Sequence, residues 1–399
     1  MKIGILTFHR SINNGAVMQC YSLSKRLQQE FPDDTVEVID YHMPLVDKKV
    51  YSTDLRHYFR GSLFSKLKTL VRLPYYLNKI KQDIKRKEAF DEALHYLPLS
   101  TKKIYSNSMD SLIDFINANY DVVIAGSDAI WNYVVRGFPN PYFLSQNVSC
   151  RKFSYAASCY GMNYERIPSD QRDLIKGILN SYEFLGTRDG ESEKFLEFLG
   201  CSVPPTHTCD PTAFLDVDDL PVNTDELESK LIAKGFDFSR KTIGVMGSAD
   251  MCKMLRKMFG REYQLVSLYN YNKLCDVNLN DLSPYEWAYV FRYFSVTVTT
   301  YFHGTMLSLR NGVPVVCIAL PTEYSKHHIT KVEDVLTRLD FKDFYFETDY
   351  KSINLSKIKE KIELCLSLNL RDKILERINI EATYVKPFIE HIKIGSNVE

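Results

Sequence analysis

The chain predicts an α/β protein built as two Rossmann-like domains facing a cleft. Three observations carry this. Short apolar runs rich in β-branched residues alternate with helical patterns from residue 2 onward. The alternation stops at a polar stretch, residues 216–239, and then restarts. The 399 residues, 45% hydrophobic and 25% charged, are enough for two cores.

Residues 2–8 (KIGILTF) read as a buried first strand. Their apolar run is too short for a secretion signal and meets His9 and Arg10 at once. A helix is expected over 15–31, then strands near 35–41, 120–125, 152–156 and 184–188. Beyond the polar stretch, strands at 241–246, 264–269, 295–300 and 314–319 alternate with helices near 250–259, 284–293, 303–311 and 331–339. The domain boundary falls near residue 220, giving domains 1–220 and 221–399. A last helical stretch, 371–394, is placed either to cap or to cross back onto the first domain.

The formal net charge is +0, which argues against a generally basic protein, so no nucleic-acid partner is expected. Nine cysteines form no C-x-x-C pair, which predicts reduced thiols in a cytoplasmic protein and no metal site. No apolar run approaches the roughly 18 residues that would span a bilayer. One segment departs from this balance. A helical insertion is expected near 48–95, and residues 48–87 within it carry twelve basic and two acidic side chains, interleaved with Leu, Phe and Tyr. Such a segment suits either an anionic membrane surface or packing on its own domain.

The polar residues that follow the strands are the candidates for chemistry, because open α/β sheets bind ligands at the carboxyl ends of their strands. After the first strand come Asn13, Asn14 and Gly15, at a helix start whose free N–H groups favour an anion or a polar sugar. There is no G-x-G-x-x-G, so a dinucleotide is a weak reading. After 120–125 come Gly126, Ser127, Asp128 and Trp131; the tryptophan is either a face for a sugar ring or a packing residue. After 184–188 comes Arg188-Asp189, with arginine suited to a bidentate grip on carboxylate or phosphate, or to a structural pair with Asp189. Asp189 and Ser192 can cap the next helix.

The most informative turn follows 295–300. There His303 meets Gly304 and Thr305 at a strand-to-helix junction, where a helix N-terminus attracts an anion and an imidazole can exchange a proton near neutral pH. Lys326 or Lys331, near a later helix start, could hold a phosphate. His327 and His328 lack metal-ligand spacing and read as loop residues.

Taken in order, these segments resemble the polysaccharide pyruvyl transferase family. The pieces are Asn13-x-Gly15-Ala16-x-x-Gln19-x-Tyr21-x-Leu23, Gly126-Ser127-Asp128-x-x-Trp131-Asn132, Ser154-Tyr155-Ala156-Ala157-Ser158, Arg188-Asp189, Asp210-Pro211-Thr212 and Phe302-His303-Gly304-Thr305. The resemblance covers roughly residues 1–340. It implies a GT-B-like fold and transfer of pyruvate from phosphoenolpyruvate, as co-substrate and with no cofactor, onto two hydroxyls of one sugar, such as O4 and O6. Galactose is the first expected acceptor, ahead of mannose-type and N-acetylhexosamine sugars. The resemblance implies His303 as general acid, Arg188 as the strand-end arginine, and Lys331, with Lys326 behind it, as the donor-holding lysine. Two positions depart from the pattern: Tyr301 stands where many members have Arg or Ser, and Ala129 where many have Gln. The basic segment favours a lipid-linked capsule or exopolysaccharide precursor, with the protein peripheral on the inner face of the plasma membrane. Two rivals share the fold. One is a nucleotide-sugar glycosyltransferase, which often carries two glutamates eight apart, whereas Glu323 and Glu333 are ten apart. The other is a non-catalytic glycan-binding scaffold.

Overall fold

The computed structural model describes residues 1–42, 62, 68–105, 109–348 and 355–395. Most of the first half of the basic segment, residues 48–61 and 63–67, lies outside the described residues. The strands of the first half are β1 (Lys2–Leu6), β2 (Thr35–Val38), β3 (Tyr41–His42), β4 (Ile104–Tyr105), β5 (Val122–Ala125), β6 (Arg151–Ala157), β7 (Phe184–Thr187) and β8 (Pro205–His207). Those of the second are β9 (Thr242–Met246), β10 (Gln264–Ser267), β11 (Val277–Asn278), β12 (Val296–Thr299), β13 (Val315–Ala319) and β14 (Tyr345–Glu347).

Twelve of these build two six-stranded sheets, ordered β2-β1-β5-β6-β7-β8 and β11-β10-β9-β12-β13-β14, and every pairing in them is parallel. Helices cover both faces, so the central strands are buried throughout; β5, β9 and β12 are buried at every position, the threonines of β12 included. The chain passes from one sheet to the other between His207 and Thr242.

The two halves are not separate globules. The largest apolar cluster runs from Ile3, Val17 and Tyr21 through Trp287 and Phe302 to Phe388. Tyr21 and Tyr285 meet edge to face at 5.1 Å, and the Tyr285 hydroxyl donates to the Ala93 carbonyl at 2.9 Å.

The expected stretch 371–394 is two helices, Arg371–Ala382 and Lys386–Ile394, joined by a 3-10 turn. Pro387 has no N–H to continue the first helix and suits the first turn of the second. The last helix docks on the first sheet. The Phe388 ring lies 4.7 Å from Tyr155 and 5.7 Å from Phe184, while Arg151 donates to the His391 and Ile392 carbonyls at the helix end.

Phe388 is fully buried. Phe388→Ala should therefore cost about 3–5 kcal/mol and lower the denaturant midpoint of unfolding; a change below about 1 kcal/mol would mean that the C-terminal helix is not part of the core.

Candidate active site at the facing switch points

In the first sheet the strand order reverses at β1, beside β5; in the second it reverses at β9, beside β12. Loops leaving such a reversal part to opposite sides and open a crevice. Both crevices contribute to one cavity of about 360 Å³, lined from the first domain by Asn13, Asn14, Gly15, Asp128 and Tyr160 and from the second by Met246, Tyr269, Trp287, residues 300–303, Lys331 and Val332.

Asn13 is the N-cap of the helix Asn14–Glu30: its Oδ1 accepts from the N–H groups of Gly15 and Ala16 at 3.0 and 3.4 Å. It thus satisfies donors expected to be free for a ligand. Asn14 is buried and its Oδ1 makes no hydrogen bond. Gly15 is required by contact: a Cβ there would lie 2.0 Å from His303 Nδ1. The start of the first helix and the second domain's histidine are therefore packed directly together. His9 and Arg10 do not line this cavity; both bind the carboxylate of Asp40.

Asp128 has φ 88°, a left-handed conformation unfavourable for a residue with a Cβ. Its Oδ1 accepts from the Ala129 N–H at 2.7 Å and lies 3.6 Å from Arg188 Nη2. Burial would raise its pKa, but Arg188, Lys331 and His303 outweigh burial and hold it below the ordinary carboxylate value. Ser127 is buried with no partner for its hydroxyl. Trp131, expected as either a sugar face or a packing residue, is wholly buried and stacked at 6.4 Å on Phe143, so it packs. Asn132, next to it, donates to the Tyr160 carbonyl at 2.7 Å and helps set that cavity residue.

Arg188 is 1% exposed at the end of β7. Its partner is not Asp189, which caps the helix Gly190–Leu199 through the Ser192 N–H. Instead Arg188 Nη1 donates to Asp210 Oδ2 at 3.1 Å, and the guanidinium lies 4.7 Å over the Phe302 ring. Its Nε and Nη2 have no hydrogen-bond acceptor. Asp210 also accepts from Gln19 Nε2 and, on Oδ1, from the Thr212 hydroxyl and N–H at 2.6 and 3.0 Å. His303 Nε2 is 3.8 Å from its Oδ2, beyond hydrogen-bond reach. Burial opposes the Asp210 charge, but His303, Arg188 and Thr212 together hold the carboxyl well below its ordinary value. The sequence carried Asp210 and Gln19 in the motif without a role. The contact joins positions 191 residues apart, for which no local pattern exists.

His303 occupies the first turn of the helix Phe302–Arg310, whose N-cap, Tyr301, supplies no side-chain cap. Gly304 brings that turn against Thr299 and Met246. Thr305 is fully buried, its hydroxyl 3.2 Å from the Tyr301 carbonyl and 3.1 Å from Cys317 Sγ, so it braces the turn rather than facing the cavity. Lys331 begins the helix Lys331–Arg338, with Nζ 4.9 Å from the Tyr160 ring and 5.3 Å from Phe302. Burial, then Arg188, pushes its ammonium below the ordinary lysine value. Lys326 lies elsewhere, exposed and paired with Glu323 at 2.7 Å. His328 is paired with Glu191 at 2.7 Å and stacked on Tyr324, while His327 is exposed.

The arrangement is an α/β cleft with one imidazole, one buried guanidinium and one amine set around two carboxylates. A model of polysaccharide pyruvyl transferases matches residues 13–321, and the chain belongs to that family. Its fold is the GT-B-like one. UDP-GlcNAc 2-epimerase from Neisseria meningitidis, bound to UDP-GlcNAc, superposes with TM-score 0.57 at 12% identity over 98% of this chain and 99% of that one. The Methanocaldococcus jannaschii UDP-GlcNAc 2-epimerase gives TM-score 0.51 at 10% identity over 96% and 100%. No curated protein matches the chain by sequence.

Both site carboxylates have depressed pKa values, so their stabilisation is present above about pH 4 and lost as pH falls below it toward the folded values. Asp210→Asn should remove part of that acid-side slope and cost about 3–5 kcal/mol at neutral pH by stranding Arg188. Thermal melts across pH 3–7 check this; an unchanged slope would mean that Asp210 is not the carboxylate that matters.

Proposed function

We propose that this enzyme transfers pyruvate from phosphoenolpyruvate to a sugar as a cyclic ketal, most simply the 4,6-ketal of a galactoside, releasing phosphate. One observation carries the reading: unsatisfied donors converge around His303. Arg188 has two nitrogens that make no hydrogen bond, Lys331 Nζ has no carboxylate within ion-pair distance among the described residues, and the helix start at Phe302 has no side-chain cap. A small molecule bearing both carboxylate and phosphate matches that surplus.

In this reading His303 gives a proton to the methylene carbon of the donor. A sugar hydroxyl then bonds to the adjacent carbon and loses its proton. The C–O bond to phosphate breaks, and a second hydroxyl closes the ketal as its proton is released. Arg188 and Lys331 hold the carboxylate and phosphate, and Asp210 fixes Arg188 and faces the imidazole. The glycosyltransferase rival is disfavoured, because Glu323 is exposed and neither it nor Glu333 lines the cavity.

The test is incubation with phosphoenolpyruvate and a galactoside panel, following phosphate and a mass gain of about 70 Da, with His303→Ala as control. A gain abolished in the variant is expected. A gain that survives removes His303 from the acid role, and binding of nucleotide-sugars without phosphoenolpyruvate turnover would replace the reading.

The lipid-linked acceptor and a place at the membrane surface belong to the same proposal. The helix Leu73–Ala93 buries Phe90 and Ala93 in the core, yet exposes Leu77, Lys81 and Ile84, which share one face at i, i+4 and i+7. No helix among the described residues is long and apolar enough to cross a membrane. Co-sedimentation with anionic vesicles should fall several-fold in Lys81→Glu/Lys85→Glu. Unchanged sedimentation, with unchanged turnover of lipid-linked acceptor, would sink the membrane role.

A further inference from the structure

The cavity has two chemically different flanks. Sheet order places the loop after β10, with Tyr269, three strand intervals from that after β13, which leads to Lys331. At roughly 4.8 Å per interval that is about 14 Å, with β12 and His303 between them. Lys331 and Arg188 both lie over the Phe302 ring, at 5.3 and 4.7 Å, with Asp128 3.6 Å from Arg188. The β10 side is Tyr269, Tyr301, Trp287 and Met246, with Asn14 opposite from the first domain. None of these five is charged.

We propose that this flank, lined by uncharged side chains, is the sugar-acceptor subsite, and that the Tyr301 ring is the platform on which a neutral pyranose stacks. The inference rests on the pyruvyl-transfer reading, in which an anionic donor and a neutral sugar must meet at His303.

Tyr301 is 38% exposed, a large aromatic left open inside a cleft. It is also held still. Its N–H donates to the Thr299 hydroxyl at 2.9 Å, and its carbonyl accepts from the Thr305 N–H at 3.1 Å. Its ring rests on Tyr269 at 4.9 Å and 37°, and Tyr269 is backed by the Arg86 guanidinium at 5.2 Å. A fixed aromatic face loses little entropy when a ring settles on it, and the C–H face of a pyranose is its apolar partner.

Two buried polar atoms of residues that line the cavity, Trp287 Nε1, a donor, and Asn14 Oδ1, an acceptor, make no hydrogen bond in the protein. Sugar hydroxyls serve as both acceptor and donor, so one ligand type suits both. An apolar wall with a few such groups is the usual composition of a site for a neutral small molecule. Tyr301 lies two residues before His303, so a sugar stacked there places its hydroxyls beside the proposed proton donor.

The test uses the full chain, with calorimetric titration of phosphoenolpyruvate, of methyl galactoside, mannoside and N-acetylglucosaminide, and of UDP, on wild type, Tyr301→Ala and Tyr301→Phe. At least one glycoside should bind, with Kd raised about tenfold in Tyr301→Ala and nearly unchanged in Tyr301→Phe, which keeps the ring. The Kd for phosphoenolpyruvate should be the same in all three. The subsite assignment is overturned if no glycoside binds, if Tyr301→Ala binds it normally, if phosphoenolpyruvate affinity falls with Tyr301, or if UDP is the ligand that depends on this ring. Glycoside binding that depends on Tyr301 in a protein that binds no phosphoenolpyruvate would leave the subsite standing and remove the donor reading.

Discussion

The site is organised around the buried carboxylate of Asp210. A charge that is 2% exposed is tolerated only when it is paired and hydrogen-bonded, and this one is met from three directions. Gln19 reaches it from the first helix, Arg188 from the end of β7, and Thr212 from its own turn. His303 faces it from the other domain at 3.8 Å. The same carboxylate thus sets where the guanidinium lies and gives the imidazole an anionic neighbour. Because these partners belong to different elements, the site is specified by domain packing rather than by any one loop.

That dependence is safe because the cleft is built into the core. Facing switch points bring four loops together, and a continuous apolar cluster, with Tyr21 against Tyr285 and Trp287 near the cavity, fixes the domains around them. Interfaces that are small and polar allow domains to move by default; an interface continuous with the core does not. Gly15 shows how tight the fit is, since even a methyl group at that position would occupy the space of the His303 ring.

Strand and helix alternation made the architecture legible, since parallel strands covered on both faces are rich in apolar and β-branched residues. The position of His303, Arg188 and Asp128 at strand ends followed from the same pattern. What was not legible shares one cause: it depends on contacts between distant residues. Trp131 and Trp287 are both buried, against Phe143 and Phe291, and of the two it is Trp287, outside the sequence motif, that reaches the cavity wall. Lys331 and Lys326 are five residues apart, but only the helix start at Thr330 turns the first toward Tyr160. The helix start after Asn13 offered free N–H groups to a ligand in sequence terms, while the fold caps two of them with the Asn13 side chain. Strands of two or three residues, such as β8, β11 and β14, are too short to show any period.

The electrostatics of the cavity distinguish two kinds of deficit. Arg188 and Lys331 are offset by Asp128 and Asp210, so the charged flank is not strongly cationic as a sum. What it lacks is acceptors: Arg188 Nε and Nη2 have none. A site short of charge would attract any anion through the field, with strong dependence on salt. A site short of acceptors at fixed positions selects a ligand by the geometry of its oxygens, in a place where water is largely excluded and each hydrogen bond is worth more. The opposite flank, with one free donor, one free acceptor and an aromatic wall, has neither deficit in charge nor a surplus of donors. The two flanks therefore sort two ligands by different physics, oxyanion geometry on one side and stacking on the other, and His303, after β12, stands between them.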